Sequence, residues 1–143
     1  MSWTSSWLIW ALLSAAFAAL TAIFAKVGVE NINSDLATFI RTIVVIVALG
    51  LLLAATGKFQ SSGPISTKTV VFLILSGLGT GLSWLCYFRA LKLGEAAKVA
   101  PIDKLSVVLV ALFGVVFLGE RLSAPNWLGI ALIAVGAILV AYR

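Results

Sequence analysis

The sequence has little charge, no histidine and a single cysteine. Only 10% of its 143 residues are charged, whereas 62% are hydrophobic. A soluble domain carries roughly a quarter charged residues, so this chain lacks the polar surface that a water-soluble globule needs. The alternative solvent is lipid, and apolar runs of membrane length predict an all-α integral membrane protein with no separate soluble domain.

The scarcity of reactive side chains excludes most kinds of catalytic or metal site. Without His there is no histidine-based triad, and the lone Cys86 gives neither a disulfide nor a cysteine pair for zinc. The five acidic residues are scattered among turns. We therefore expect no enzyme activity, no metal and no cofactor. The net charge of +5 does not indicate a nucleic-acid partner, because the basic residues stand singly at the edges of apolar runs.

Five apolar segments are long enough to cross a bilayer. Trp7 to Ala25 is an uncharged run of 19 residues that ends at Lys26, and Thr69 to Phe88 is an uncharged run of 20. A transmembrane helix needs about 20 such residues. The sequence therefore predicts one five-helix domain over residues 1–143, with spans at about 5–28, 35–55, 69–93, 95–118 and 125–142.

The ends of these spans carry recognisable helix signals. Asn33 or Ser34 is a candidate N-cap for the second span. Gly94 is expected to stop the third helix. Pro125 suits the first turn of the fifth helix.

Four charged residues fall within or beside the predicted spans. Arg41 lies about 10 Å into the second span, and Arg89 lies in the last turn of the third, where a cation complements the helix dipole. Asp103 and Lys104 have two interpretations. A helix that starts near residue 100 puts them at the interface, whereas one that starts at residue 95 puts Asp103 about 12 Å inside. All four lie toward the same side of the predicted membrane, and we predict that they meet as a substrate or gate cluster.

Two further patterns run along the helices. Ser76, Thr80, Ser83 and Tyr87 recur at helical spacing as a polar stripe on the third span, with helix packing and cavity lining as alternative roles. Small residues that allow close helix approach form a second set, predicted to serve packing or dimerisation: Gly77, Gly81, Gly129 and Gly136.

The basic residues give only a weak orientation signal. Five spans place the turns between spans one and two and between spans three and four on one side, together with the C-terminus. That side holds seven basic residues against three on the other. Without Arg41, Arg89 and Lys104, which lie within the predicted helices, the count is four against three. A near-balanced count permits dual topology.

The ordered motifs of the chain resemble the EamA domain of the drug/metabolite transporter superfamily. They occupy Lys26–Gly28, Tyr87–Gly94, Ala96–Pro101, Phe117–Ser123 and Gly129–Ile133, with Gly136. The sequence is also similar to the small multidrug resistance branch, in which glycines seven apart on the last helix mediate dimerisation. That branch uses an acidic residue in its first helix, at a place that corresponds here to about Ala18. The resemblance therefore does not extend to the branch's proton-coupled mechanism.

The resemblance implies that this chain is one half of an inverted-repeat, ten-helix transporter. We expect a bacterial inner-membrane protein that exports or otherwise transports small polar metabolites, amino-acid-like or anionic, by alternating access. Its expected partners are the small-molecule substrate, the lipid bilayer, and a second copy in an antiparallel homodimer or a paralogue in a heterodimer. The alternative is a non-transporting membrane subunit that assembles with a partner transporter.

Overall fold

The computed structural model describes residues 7–60, 63 and 65–142. All regular structure in these residues is helical: α1 Trp7–Gly28, α2 Ser34–Ala55, a short 3-10 turn Lys58–Gln60, α3 Thr67–Leu93, α4 Ala96–Asp103, α5 Ser106–Leu118 and α6 Ala124–Ala141. Five helical segments of the described chain are long and apolar enough to span a membrane, and α4 with α5 forms the fourth, Ala96–Leu118. This confirms the predicted all-α fold with five spans.

The helix ends follow local capping chemistry and lie within two residues of the predicted bounds. The side-chain oxygen of Asn33 accepts hydrogen bonds from the amides of Asp35 and Leu36, at 2.8 and 3.2 Å, so Asn33 is the N-cap of α2. Helix α3 starts at Thr67 because the Ser66 hydroxyl accepts a bond from the Thr69 amide at 3.1 Å. The predicted start of the first span at residues 5 and 6 lies outside the described residues.

The fourth span is interrupted between α4 and α5. Helix α4 follows the extended residue Glu95 and contains Pro101, which has no amide hydrogen for the helical ladder. The next bonds are short-range ones, from the Lys104 amide to the Pro101 carbonyl at 3.1 Å and from the Leu105 amide to the Ile102 carbonyl at 3.0 Å. Because α4 begins directly after Glu95, the structure has the early one of the two predicted starts, which puts Asp103 about 10 Å from the start of α4.

A glycine in the left-handed conformation ends α5. Gly119 has φ of 68°, and the Glu120 amide after it donates to the Gly114 carbonyl at 3.0 Å. The Glu120 side chain folds back over Gly114, where a β-carbon would lie 2.5 Å from the Glu120 Oε2 atom. Helix α6 then begins with Pro125 in its first turn, as predicted.

The chain divides into two compact units. Residues 25–92 form one, which contains the last turn of α1, α2 and α3 up to Lys92; the described parts of residues 1–24 and 93–143 form the other. In the first unit the buried apolar side chains include Val29, Phe88 and Leu91. In the second unit α6 contacts both α4 and α5, and Ala137 on α6 is buried.

Most large apolar side chains on the long helices are exposed within the chain. Examples are Phe72 on α3, Phe117 on α5 and Leu132 on α6. For a membrane-spanning chain this surface faces acyl chains or another protein rather than water. The core is accordingly small.

Candidate functional site

Three basic side chains in the unit of residues 25–92 connect the end of α3 with the last turn of α1, the turn that follows it and the first turn of α2. The Lys26 ammonium donates to the Leu91 carbonyl at 2.7 Å, and the Lys92 ammonium donates to the Ile32 carbonyl. Arg89 pairs with Asp35. The last carbonyls of a helix have no partner within it, so Lys26 also satisfies one of the orphan acceptors of α3.

The pair of Arg89 and Asp35 is bidentate. Arg89 Nε lies 3.0 Å from Asp35 Oδ1, and Arg89 Nη2 lies 2.7 Å from Asp35 Oδ2. This fork geometry is the most favourable arrangement of guanidinium and carboxylate. The cap by Asn33 fixes Asp35 in the first turn of α2, while Arg89 lies near the C-terminus of α3, so each charge also complements its own helix dipole.

Asp35→Asn and Arg89→Gln should each lower thermal stability. The double variant should be at least as stable as the less stable of the two single variants. Each single change leaves one half of the fork unpaired, whereas the double change leaves no charge behind. The measurement is thermal unfolding of the four proteins in the same detergent.

Glu95→Gln is the matched control, because Glu95 pairs with Lys98 at 3.3 Å within one helix turn and its side chain is 72% exposed. Such a pair contributes little. Strictly additive losses at Asp35 and Arg89 would contradict an energetic coupling between them.

Arg41 has aromatic neighbours rather than an acidic one. Its guanidinium carbon lies 4.1 Å from the centroid of the Trp84 ring and 5.6 Å from that of Phe88. Both distances fall within the range of cation–π attraction, which contributes about 0.5–2 kcal/mol depending on solvation. Arg41 is half-buried, and no carboxylate of the described residues pairs with it.

Asp103 and Lys104 lie in the other unit, at the interruption between α4 and α5. Their side chains are paired at 3.1 Å, with Lys104 57% and Asp103 36% exposed. Arg41 and Arg89 belong to the unit of residues 25–92. The meeting of all four charges in one cluster therefore stays a prediction.

In the polar stripe on α3, the side chains of Ser76, Thr80 and Ser83 are exposed and that of Tyr87 is half-buried. The Thr80 hydroxyl donates to the Ser76 carbonyl at 3.0 Å, a bond within its own helix. The stripe's role in cavity lining or in helix packing stays a prediction.

The four glycines predicted to serve packing have open surroundings. A β-carbon added at any of them would meet no other atom within 4 Å in the described chain; they are Gly77, Gly81, Gly129 and Gly136. Close approach of helices within this chain therefore does not require glycine at these positions. Their predicted role in contacts with another chain stays open to test.

Sequence reasoning missed the aromatic surroundings of Arg41 and the lysine bonds to backbone carbonyls. Trp84 and Phe88 are four residues apart and share a face of α3, which is a signal that a helical interpretation could have used. The bonds of Lys26 and Lys92 to carbonyls 65 and 60 residues away carry no comparable sequence signal.

A family model described as the EamA-like transporter family matches residues 5–142. The chain belongs to this family. It is thus an integral membrane protein of the drug/metabolite transporter superfamily, and its general function is that of a membrane transporter.

Relatives of this EamA-like chain occur in bacteria and archaea. An uncharacterised transporter from a Sinorhizobium species is 64% identical, over 96% of this chain and 98% of the relative. An uncharacterised protein of Methanocaldococcus jannaschii is 30% identical, over 90% of this chain and 91% of the relative. An uncharacterised transporter of Bacillus subtilis is 28% identical over 96% of this chain, which corresponds to only 43% of the relative. No solved structure gives a significant match.

Proposed function

We propose that this chain is a secondary transporter of small polar metabolites, amino-acid-like or anionic, that works by alternating access. In this proposal the transporting assembly contains two five-helix units of opposite orientation, supplied by two copies or by one copy and a paralogue. The bacterial inner membrane is the proposed location.

The observation that carries the proposal is the combination of five spans with charges placed inside them. The family match covers residues 5–142, and the described chain supplies five membrane-length helical segments. Secondary transporters are commonly built from two inverted repeats with the substrate site at their interface. The Bacillus subtilis relative is more than twice as long as the segment it shares with this chain, which supports a two-repeat assembly.

The charges also favour transport over a purely structural membrane role. A charged side chain in a span is costly and normally faces a pathway or a water-filled cavity. Asp103 and Lys104 are paired at the interruption of the fourth span, and Arg41 lies inside the second. Charges that are paired when the cavity is closed and hydrated when it is open would act as a gate.

The test is uptake by proteoliposomes that contain this chain alone. A thermal-shift screen against amino acids, carboxylates, phosphate, sugars and lipophilic cations selects the solute. We expect stabilisation by an amino acid or an anion, followed by its saturable uptake. Binding without uptake, with uptake restored by a co-purifying protein, would favour the alternative of a non-transporting subunit.

The antiparallel homodimer makes a separate prediction about orientation. A cysteine at Ser123, in a Cys86→Ala background, should react with a membrane-impermeant thiol reagent from both sides of the membrane. The near-balanced basic residues permit both orientations. Labelling from one side alone would contradict the antiparallel homodimer and leave a parallel dimer or the heterodimer.

A further inference from the structure

Arg41 differs from the other charges predicted to form the substrate or gate cluster. Arg89 donates to both carboxylate oxygens of Asp35, at 3.0 and 2.7 Å, and the Lys104 ammonium lies 3.1 Å from the Asp103 carboxylate. Among the described residues, Arg41 contacts the rings of Trp84 and Phe88 and interacts electrostatically with Tyr87, but it pairs with no carboxylate. Arg89 and Lys104 thus each pair with a carboxylate of the described residues, whereas Arg41 does not.

The aromatic contacts do not use the hydrogen-bond donors of the guanidinium. A guanidinium carries five N–H donors, and an aromatic ring accepts none of them in a normal hydrogen bond. The contacts with Trp84 at 4.1 Å and Phe88 at 5.6 Å therefore orient Arg41 without satisfying its donors. Half-buried donors need an acceptor from water or from a ligand.

The chemistry of these N–H donors selects one class of ligand. A planar fork of N–H donors matches the two oxygens of a carboxylate, or two oxygens of a phosphate. The same chain shows the arrangement, since Asp35 fills the fork of Arg89 in this way. Arg41 lies seven residues after the start of α2, roughly 10 Å into the span, where a charge without a counter-charge is costly.

We propose that Arg41, held in place by Trp84 and Phe88, binds the carboxylate or phosphate group of the transported solute. The inference rests on the proposed transport function and names its substrate class. Lipid headgroups offer the same phosphate chemistry, so the experiment has to separate a solute from a lipid.

Trp84 provides a local probe that does not depend on transport. A variant with Trp84 as its only tryptophan, made by changing the other four to Phe, reports the access of small ions to Arg41 by fluorescence quenching. The protein is kept in a phosphate-free detergent. Iodide should quench Trp84 better than caesium does, because Arg41 attracts anions; L-glutamate, succinate or inorganic phosphate should protect against iodide, whereas glucose should not.

Arg41→Gln in this background should lose the preference for iodide and bind the protecting anion about tenfold or more weakly, as expected for loss of a charge-assisted bond. Arg41→Lys, which keeps the charge but not the fork, should retain the iodide preference and lose part of the affinity. Lys68→Gln is the matched control: it removes an exposed cation from the far end of α3 and should change neither.

Three results would overturn the proposal. Equal iodide quenching before and after the Arg41→Gln change would make the contact of Arg41 with Trp84 purely structural. Protection by none of the three anions would exclude a solute site. Protection only in nanodiscs with phosphatidylglycerol, and by no soluble anion, would identify a lipid headgroup instead.

Transport measurements distinguish failure of the site from failure of the function. Anion binding without uptake in proteoliposomes would refute the transport function and leave the site. If the Arg41→Gln variant takes up the solute as fast as the parent chain does, the proposed anion site at Arg41 is refuted, but the proposed transport function stands.

Discussion

Leu91→Ala is expected to destabilise the protein far more than Leu93→Ala, although both changes remove the same atoms from the end of α3. Leu91 is 0% exposed, whereas Leu93 is 89% exposed. A buried Leu→Ala change typically costs about 2–5 kcal/mol through lost contacts and the cavity that remains. We expect a loss near the lower end of that range, because the apolar transfer term is smaller when the surrounding solvent is lipid.

The measurement is unfolding of the two variants and the parent chain in the same detergent. Leu93→Ala should stay within about 0.5 kcal/mol of the parent, as for surface changes in general. The expected loss at Leu91 reflects its place in the small core with Val29 and Phe88. Equal stability of the two variants would mean that this core contributes nothing to the fold.

Asp103→Asn is expected to lower the transport rate by about tenfold or more at an unchanged protein level. A tenfold loss corresponds to about 1.4 kcal/mol in the barrier. The amide keeps the size of the side chain but removes the charge that lies 3.1 Å from Lys104. The lysine would then need hydration in every state, which removes the difference between a closed, paired gate and an open, hydrated one.

Glu120→Gln is the control for this experiment. It makes the same chemical change at an exposed residue beyond the end of α5, where the side chain lies over Gly114. Transport of the solute selected by the thermal-shift screen should stay close to that of the parent chain. Parent-like transport by Asp103→Asn at an equal protein level would make Asp103 and Lys104 ordinary residues of the membrane interface.

The membrane fold was largely predictable because it depends on local properties of the sequence. Apolar runs of about 20 residues set the spans, and caps such as Asn33 and Pro125 act within a few residues of themselves. The interruption after Asp103 was less predictable. Pro101 allowed a helix that starts at residue 95 or one that starts near residue 100, and only the backbone bonds of the Lys98 and Val99 amides to the Glu95 carbonyl distinguish them.

The sequence by itself determined that the chain is helical, has five spans and carries charges within them. The length of an apolar run and its helical periodicity depend only on residues that are close together in the sequence. Only the tertiary structure decided which partner each charge takes. Arg89 meets Asp35, which lies 54 positions earlier in the chain, and Arg41 meets Trp84 rather than an acid. Such pairings depend on how two helices pack side by side, and the sequence pattern of one helix does not specify the neighbouring face.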